Sequence, residues 1–540
     1  MAAMRRGDLI AGFSVAGLML PEAVAYAGIA GLPPQRAILA AIAGCIAYTA
    51  FGRSPFAIVA PTSASAAILA ATLVAVPDAN KAASATVVVG LVGVFFLLAA
   101  AARLGSLTGF ISRPVLRGFT FGLAVTIIIH QLPLLVGVPL QAPDIFSLVA
   151  ELATSLKRWN LAGLSVGGTA LVVLLLLRRF PAFPGSFLVL IAGVAASLIF
   201  RLPEQGVALV GSIDVTLAWP SLLSITWPDY SQLFRLTLPL VLILFAESWG
   251  TVRALALRHG DTVEANRELG ALGLANVASA LVQGMPVGAG FSAAAASEAA
   301  GAVTRVTAVI AAMGLAILII FGGPFIARLP EPVLAAVVIA ALAHSLDPAP
   351  FVRLWYLGRD QYVAIGAAIA VLVLGVLSGM LAAIALSLAA LVQRLATPQV
   401  ARLGRLGTTH DYVDLARHHD AVAPPGIAIW RPTEPLFFAN AERLLALIAD
   451  RSRSDKTTRA IVISLEESFD LDSTALDALL EFDAALRATG LPVQFARVHD
   501  HVRDLFAAAS PGDIQARSSY SVDDAVNAVE PRPDQPTKKD

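Results

Sequence analysis

Two apolar segments, one in each half of the chain, are interrupted at corresponding places, and this limits the fold more than any other feature. The first interruption reads Ala60-Pro61-Thr62-Ser63-Ala64-Ser65. The second reads Gly284-Met285-Pro286-Val287-Gly288-Ala289-Gly290-Phe291-Ser292. Each follows an apolar stretch and opens another that begins with small hydroxyl residues. In a membrane protein, Pro- or Gly-broken hydrophobic segments at matching positions of two halves mark a transporter built from inverted repeats. The two half-helices then aim their N-termini at a shared site near the midplane. Exposed N–H groups and the positive dipole end favour an anion there.

Composition agrees with a membrane setting. Of 540 residues, 57% are hydrophobic and 14% charged, against about 25% charged in soluble proteins, and mean hydropathy is +0.76. Charge is confined to short connectors up to about Arg394 and is dense beyond it, so a membrane domain precedes a soluble one. Basic and acidic residues balance at 38 each, which argues against a nucleic-acid partner. The single cysteine, Cys45, allows no intramolecular disulfide and reads as core packing. Arg5 and Arg6 precede the first apolar stretch as in a signal peptide. That stretch holds Pro21 and Glu22 and is followed by many more, so it reads as the first transmembrane helix.

A span needs roughly 20 apolar residues. That ruler places spans near 8–28, 35–52, 85–102, 118–138, 161–178 and 186–200. In the second half it places them near 234–257, 263–283, 303–321, 330–346, 360–378 and 379–396. Half-helices near 62–76 and 290–301 bring the total to about fourteen, with each break roughly 55 residues into its half. Seven elements per half force opposite orientations of the repeats, and an even total puts both termini on one side. Arg5, Arg6 and Arg394 make that side cytoplasmic by the positive-inside rule, although Arg103, Arg113 and Arg117 complicate the count. The expected setting is the cell inner (plasma) membrane, crossed many times. The segment 263–283 carries Glu264, Arg267 and Glu268 and reads as partly interfacial.

The expected division is a transmembrane domain at 1–397, with repeats about 8–200 and 234–397, and a linker at 398–425. A soluble α/β domain follows at 426–530, then a disordered, Pro- and charge-rich tail at 531–540. In the linker, His410, His418 and His419 match no ligand spacing, so no metal is expected. In the soluble domain, strands at 427–430, 460–465 and 491–496 alternate with helices at 440–451, 473–489 and 501–509, giving a small sheet covered by helices.

Several polar residues sit where a bilayer makes them costly. Glu22 follows Pro21 inside the first span. It reads as a substrate-site or proton-carrying carboxylate, or as an interfacial helix-end residue. Tyr26, one turn on, would line the same cavity or serve as packing. Glu247 and Thr251 are four apart and share a helical face, which suits cation binding or a transferable proton, or else Glu247 is a neutral carboxyl hydrogen-bonding a neighbouring helix. Thr62, Ser63 and Ser65 open the first half-helix and Ser292 the second; their hydroxyls either cap the helices or donate to a substrate oxygen. Glu298, on the second half-helix, reads as a gate or as a structural hydrogen-bonding group. No nucleophile–base pair, metal motif or phosphate loop of the required spacing is visible, so neither an enzyme nor a cofactor is expected.

At these residues the chain resembles the SulP (SLC26-type) sulfate permease family. Leu20-Pro21-Glu22-Ala23-Val24-Ala25-Tyr26-Ala27 with Ala30-Gly31-Leu32-Pro33-Pro34 is similar to its first-span signature. Phe51-Gly52-Arg53-Ser54 with Ala60-Pro61-Thr62 resembles its second stretch. Asn266-Arg267-Glu268-Leu269, Gly273-Leu274-Ala275-Asn276, Phe291-Ser292 and Ala300-Gly301-Ala302 follow in the family's order. The soluble end resembles a STAS domain at Phe469-Asp470-Leu471-Asp472-Ser473-Thr474-Ala475-Leu476. The resemblance implies fourteen transmembrane segments in core and gate domains, an elevator-like cycle, commonly a homodimer, and a small anion bound between the third and tenth helices. Carried over, the site involves Glu22, Tyr26, Thr62, Glu247 and Ser292, and the co-transported ion is H⁺ or Na⁺. Many members carry a basic residue directly after the serine; here it is Ala293. That leaves a doubly charged anion less well compensated and keeps bicarbonate, chloride or a dicarboxylate open beside sulfate. Ser473 corresponds to a serine that is phosphorylated in related domains, and Asp472 and Ser473 equally suit helix capping. A cytoplasmic regulatory partner of this domain is a further implication, and an anion channel is the competing transport class.

Overall fold

A computed structural model describes residues 6–73, 76, 78–105, 112–138, 140, 144–178, 185–211, 227–358, 360–397, 399–509 and 513–529. The expected tail at 531–540, and Arg5, lie outside the described residues. The chain forms two compact units, Met1–Leu388 and Ala389–Asp540.

The first unit repeats itself. Its first half runs α1 (Arg6–Ile29), α2 (Pro34–Phe51), strand β1 (Val59–Ala60), α3 (Ser63–Leu73), α4 (Asp78–Ala101), α5 (Arg113–Leu135), α6 (Ile145–Thr154), α7 (Leu161–Leu177) and α8 (Gly185–Ile199). Its second half runs α9 (Trp227–His259), α10 (Ala265–Leu281), β2 (Gly288–Ala289), α11 (Phe291–Ala299), α12 (Val306–Ile326), α13 (Glu331–Leu342), α14 (Ala349–Leu357), α15 (Gln361–Leu374) and α16 (Val376–Ala396). The halves match element for element, including the two-residue strand and the half-helix after it. Packing repeats too: α4 lies on α10 as α12 lies on α2, α1 touches α11 as α9 touches α3, and α5 meets α15 as α13 meets α7. Helices α1–α4 and α9–α12 thus form one bundle, and α5, α7, α8, α13 and α15 build a second. Among the described residues, six helices are long and apolar enough to cross a membrane, α1, α5 and α12 among them. Helices α7, α8, α13 and α15 are apolar but shorter. The chain is a multi-pass membrane protein.

Sequence reading missed α6 and α14, which occupy equivalent places in the two halves. At 10 and 9 residues they are too short to span. Helix α6 is held instead by its cap, with the Asp144 carboxylate accepting from the amides of Phe146 and Ser147 at 2.9 Å each. Of the three charged residues in 263–283, Glu264 and Arg267 are exposed and Glu268 is not. Glu268 is buried in α10, where it accepts from the Tyr48 hydroxyl at 2.5 Å and the Arg53 amide at 3.1 Å. That polar pairing lets a charged-looking helix pack inside the bundle.

The second unit runs β3 (Val400–Leu406), β4 (Tyr412–Asp414), β5 (Ala421–Val422), β6 (Ile427–Pro432), α17 (Ala441–Ser454), β7 (Ala460–Ser464), α18 (Ser473–Ala488), β8 (Val493–Ala496), α19 (Asp500–Ala509), α20 (Asp513–Ala516) and α21 (Val522–Asn527). Strand order is β4-β3-β6-β7-β8, with β5 also on β3; β6, β7 and β8 are parallel and β3 is antiparallel to β6. The segment read as a linker therefore contributes three strands. Its arginines had masked the strand pattern. Arg402 pairs with Asp455 at 2.8 Å, and Arg405 with Asp523 at 2.9 Å, where His410 also bonds at 2.7 Å.

Candidate functional site

The two interruptions meet. Strand β1 pairs antiparallel with β2, Val59 opposite Ala289 and Ala60 opposite Gly288. Strands this short are held by side chains around them. Asn276 accepts from the Val287 amide at 3.0 Å and donates to the Val287 carbonyl at 2.9 Å. The Ser248 hydroxyl accepts from the Ala289 amide at 3.0 Å. The Ser65 hydroxyl crosses between the repeats to donate to the Pro286 carbonyl at 3.0 Å. Glycine is required where backbones close in: a Cβ at Gly44 would lie 2.6 Å from the Val59 carbonyl oxygen.

Helices α3 and α11 start from this clasp, and both N-termini line a cavity of about 730 Å³. At α3, Thr62 and Ser65 cap each other. The Ser65 amide donates to the Thr62 hydroxyl at 3.1 Å, and the Thr62 amide to the Ser65 hydroxyl at 2.9 Å. Helix α11 has no such cap, since its N-cap is Gly290. Its amides at Ser292 and Ala293 have no acceptor among the described residues.

Glu22, Tyr26, Thr62, Ser63, Glu247, Thr251, Ser292 and Ala293 all line this one cavity. Their roles separate. Thr62 donates its hydroxyl proton to Glu247 Oε2 at 3.0 Å, so that hydroxyl is committed to the carboxylate rather than free for an anion. Ser63, Thr251 and Ser292 also line the cavity, and their hydroxyls make no hydrogen bond among the described residues. Glu22 is buried, and its Oε1 has no hydrogen-bond partner among the described residues. Helix α1 continues through Pro21, whose missing N–H leaves the Gly17 carbonyl without a ladder donor. Glu298 stands outside the cavity. It accepts from Arg258 and bonds His259, each at 2.8 Å, and so ties the far end of α11 to the end of α9.

Sequence reading missed the cations. Arg113 and Arg117, four apart on α5, and Arg253, two residues past Thr251, also line the cavity. None of the three makes a hydrogen bond or ion pair among the described residues. Spacing carries the signal, since Arg113 and Arg117 share a helix face, but basic residues near a span end also serve as topology markers. They supply fixed positive charge in a site where position 293 is alanine. In the second unit, Asp472 caps α18 by accepting from the Ala475 amide at 2.9 Å. Ser473 beside it is exposed and takes no part in the cap.

Two matching repeats of eight helices, six of them in each half besides the broken segment's half-helix and one short helix, whose broken segments clasp and set two helix N-termini in a charged cavity, define a membrane transporter for small anions. The comparisons give it a family. The family model described as the sulfate permease family matches residues 6–368, and the STAS domain model matches 418–525. A protein of Mycobacterium tuberculosis (strain CDC 1551 / Oshkosh) named "Probable sulfate transporter MT1781" is 34% identical over 513 residues, covering 94% of this chain and 91% of its own. The murine Slc26a9 anion transporter in its inward-facing state superposes with TM-score 0.87 at 19% identity, covering 98% of this chain and 92% of that one. The transmembrane domain of the cyanobacterium bicarbonate transporter BicA gives 0.61 at 22% identity, covering 70% and 97%; both structural likenesses concern the fold alone. The chain belongs to the sulfate permease (SulP/SLC26) family and is an anion transporter with a C-terminal STAS domain.

Proposed function

We propose that this protein is a proton-coupled secondary carrier of a small oxyanion, with sulfate first among the candidates. The observation that carries the reading is the convergence of the α3 and α11 N-termini on one cavity that also holds Glu247. In this reading the amides of Ser292 and Ala293 and the hydroxyls of Ser63 and Ser292 bind the anion. Arg113, Arg117 and Arg253 line the route into it. Each helix terminus offers only about half a charge, so three guanidiniums make a doubly charged ion acceptable without a basic residue at position 293. That, with the names borne by the relatives, favours sulfate over chloride. Bicarbonate and dicarboxylates remain the alternatives.

Glu247 is the coupling group. Ionised, it repels an anion bound alongside; protonated, it does not, so anion and proton enter together. Thr62, which opens α3, holds its carboxyl in place, and Thr251 and Glu22 share the cavity. Transport follows an elevator-like movement of the α1–α4/α9–α12 bundle against the other. The termini are cytoplasmic, the membrane is the cell's inner (plasma) membrane, and the protein works as a homodimer whose STAS domain takes a regulatory partner. Neither an enzymatic activity nor a cofactor is part of this reading.

Proteoliposome uptake under imposed pH and sodium gradients tests coupling. Acceleration by an inward proton gradient alone is expected; uptake that follows sodium and ignores pH would make Glu247 and Thr251 a sodium site and overturn the proton reading. Saturation and counterflow are expected of a carrier, whereas large unitary currents would mean a channel. Competition by sulfate, bicarbonate, chloride, oxalate, succinate and fumarate against one label ranks the substrates.

A further inference from the structure

A second cavity, of about 1040 Å³, shares no lining residue with the anion site. It lies where the last turns of α2, the turn after it, the α9–α10 connection and the start of α12 meet. We propose that it holds the headgroup of an anionic phospholipid from the adjoining leaflet.

The groove has two chemically different ends. Arg53 and Arg305 form the polar end. Arg53 is exposed, and its guanidinium makes no hydrogen bond or ion pair among the described residues. Arg305 donates one N–H to the Gly52 carbonyl and keeps its remaining donors. Thr262 adds a hydroxyl, and Asp261 is the one acidic residue in the lining. Outside the lining, Glu264 is exposed beside Val263, while Asp8 and Glu268 are already occupied. Asp8 accepts from the Val303 and Thr304 amides at 2.9 and 2.8 Å, and Glu268 is buried against Tyr48. Within the lining, two guanidiniums stand against one carboxylate, so the polar end carries net positive charge.

The other end is apolar and leads onto an exposed apolar face of α12, a helix long enough to cross a membrane. Ile46 is 50% exposed. From Val309 the groove continues along α12 over Met313, Ile317 and Ile320, which are 52%, 49% and 72% exposed. Their spacing of three and four residues puts them on one helix face, long enough for an acyl chain. A basic pocket between helix ends at the membrane surface, continuous with an apolar track, suits an amphiphile with a negative head. Basic pockets of this kind bind acidic lipid headgroups. A soluble anion would use only the polar end and leave the track unexplained. Arg6 starts α1, which Asp8 ties to α12, so under the orientation proposed above the leaflet is the cytoplasmic one. The binding itself rests on neither that orientation nor the transport reading.

Native mass spectrometry of the full-length, delipidated protein in detergent reads the lipid directly. Phosphatidylglycerol is titrated against phosphatidylcholine. A stronger phosphatidylglycerol adduct is expected. Arg53→Gln should weaken it about fivefold, as expected for one basic group at a lipid headgroup, while Arg353→Gln on α14 leaves it unchanged. Ile46→Trp keeps both arginines but fills the apolar end, and should weaken the adduct as well. Equal adducts with the two lipids overturn the proposal. So does an undiminished adduct in both groove variants, or displacement of the lipid by millimolar inorganic phosphate, which would mark a soluble-anion site. Because the readout is binding in detergent, it can fail while proton-driven uptake succeeds, and the reverse.

Discussion

Replacing Gly44 by alanine tests whether the clasp positions the site. Gly44 lies in α2 with the Val59 carbonyl oxygen 2.6 Å from where a Cβ would stand, and Val287 side-chain atoms 3.2 and 3.3 Å away. Ordinary contact begins at 3.4 Å. The new methyl therefore sits about 0.8 Å too close to a backbone atom, which cannot rotate away, and overpacking of this kind costs about 1–3 kcal/mol. The displacement falls on β1, three residues before Thr62. Passed on in full, it would stretch the Thr62–Glu247 hydrogen bond, 3.0 Å in the structure, past the limit of useful geometry. Gly44→Ala should thus lower the melting temperature of the purified protein and, in proteoliposomes, raise KM for the anion by about tenfold, the equivalent of 1.4 kcal/mol. Gly168→Ala is the control. That glycine is inside α7 with nothing within 4 Å of its Cβ position, so alanine should stabilise by about 0.5–1 kcal/mol and leave KM alone. If Gly44→Ala melts and transports like the native protein, β1 is not pressed against α2 and the reasoning fails.

Glu247→Gln should abolish the response of uptake to an imposed proton gradient while anion exchange at equal pH persists; retained proton-driven accumulation would contradict the coupling role. Arg253→Gln should raise KM unequally. A lost unit charge costs a divalent anion twice the energy it costs a monovalent one, so a tenfold loss for a monovalent ion becomes about a hundredfold loss for a divalent one. In the STAS unit, the Thr457 hydroxyl, then the Arg402 guanidinium, hold the Asp455 carboxyl down to about 2. Because the folded value is depressed, its stabilisation is complete above the ordinary 3.8 and is lost as pH falls through about 2. Asp455→Asn should make peptic cleavage around residues 426–460 of the full chain less dependent on pH across that interval.

The sequence made the breaks legible because Pro61 and the Gly284–Gly290 run interrupt otherwise continuous apolar stretches. Their union was not legible: β1 and β2 are two residues each and too short for any periodicity. Glu22, Glu247, Thr62 and Ser292 stood out because polar groups in an apolar run carry a cost that must be met somewhere. What meets it is tertiary. Thr62 turned out to serve Glu247, and Glu268 to serve Tyr48, through contacts 185 and 220 residues apart. Arg113, Arg117 and Arg253 were hidden for the opposite reason, since basic residues near span ends are ordinary. The strands at 400–422 were hidden by the arginines and histidine that pair with Asp455 and Asp523 in the folded unit.

The most direct test of the paired half-helix site is an anomalous-difference map from crystals soaked in selenate and, in parallel, bromide. A peak at roughly 3 Å from the Ser292 and Ala293 amides, opposite the start of α3, is the expected result. Peaks confined to the Arg113–Arg117 mouth, with nothing between the two N-termini, would contradict it.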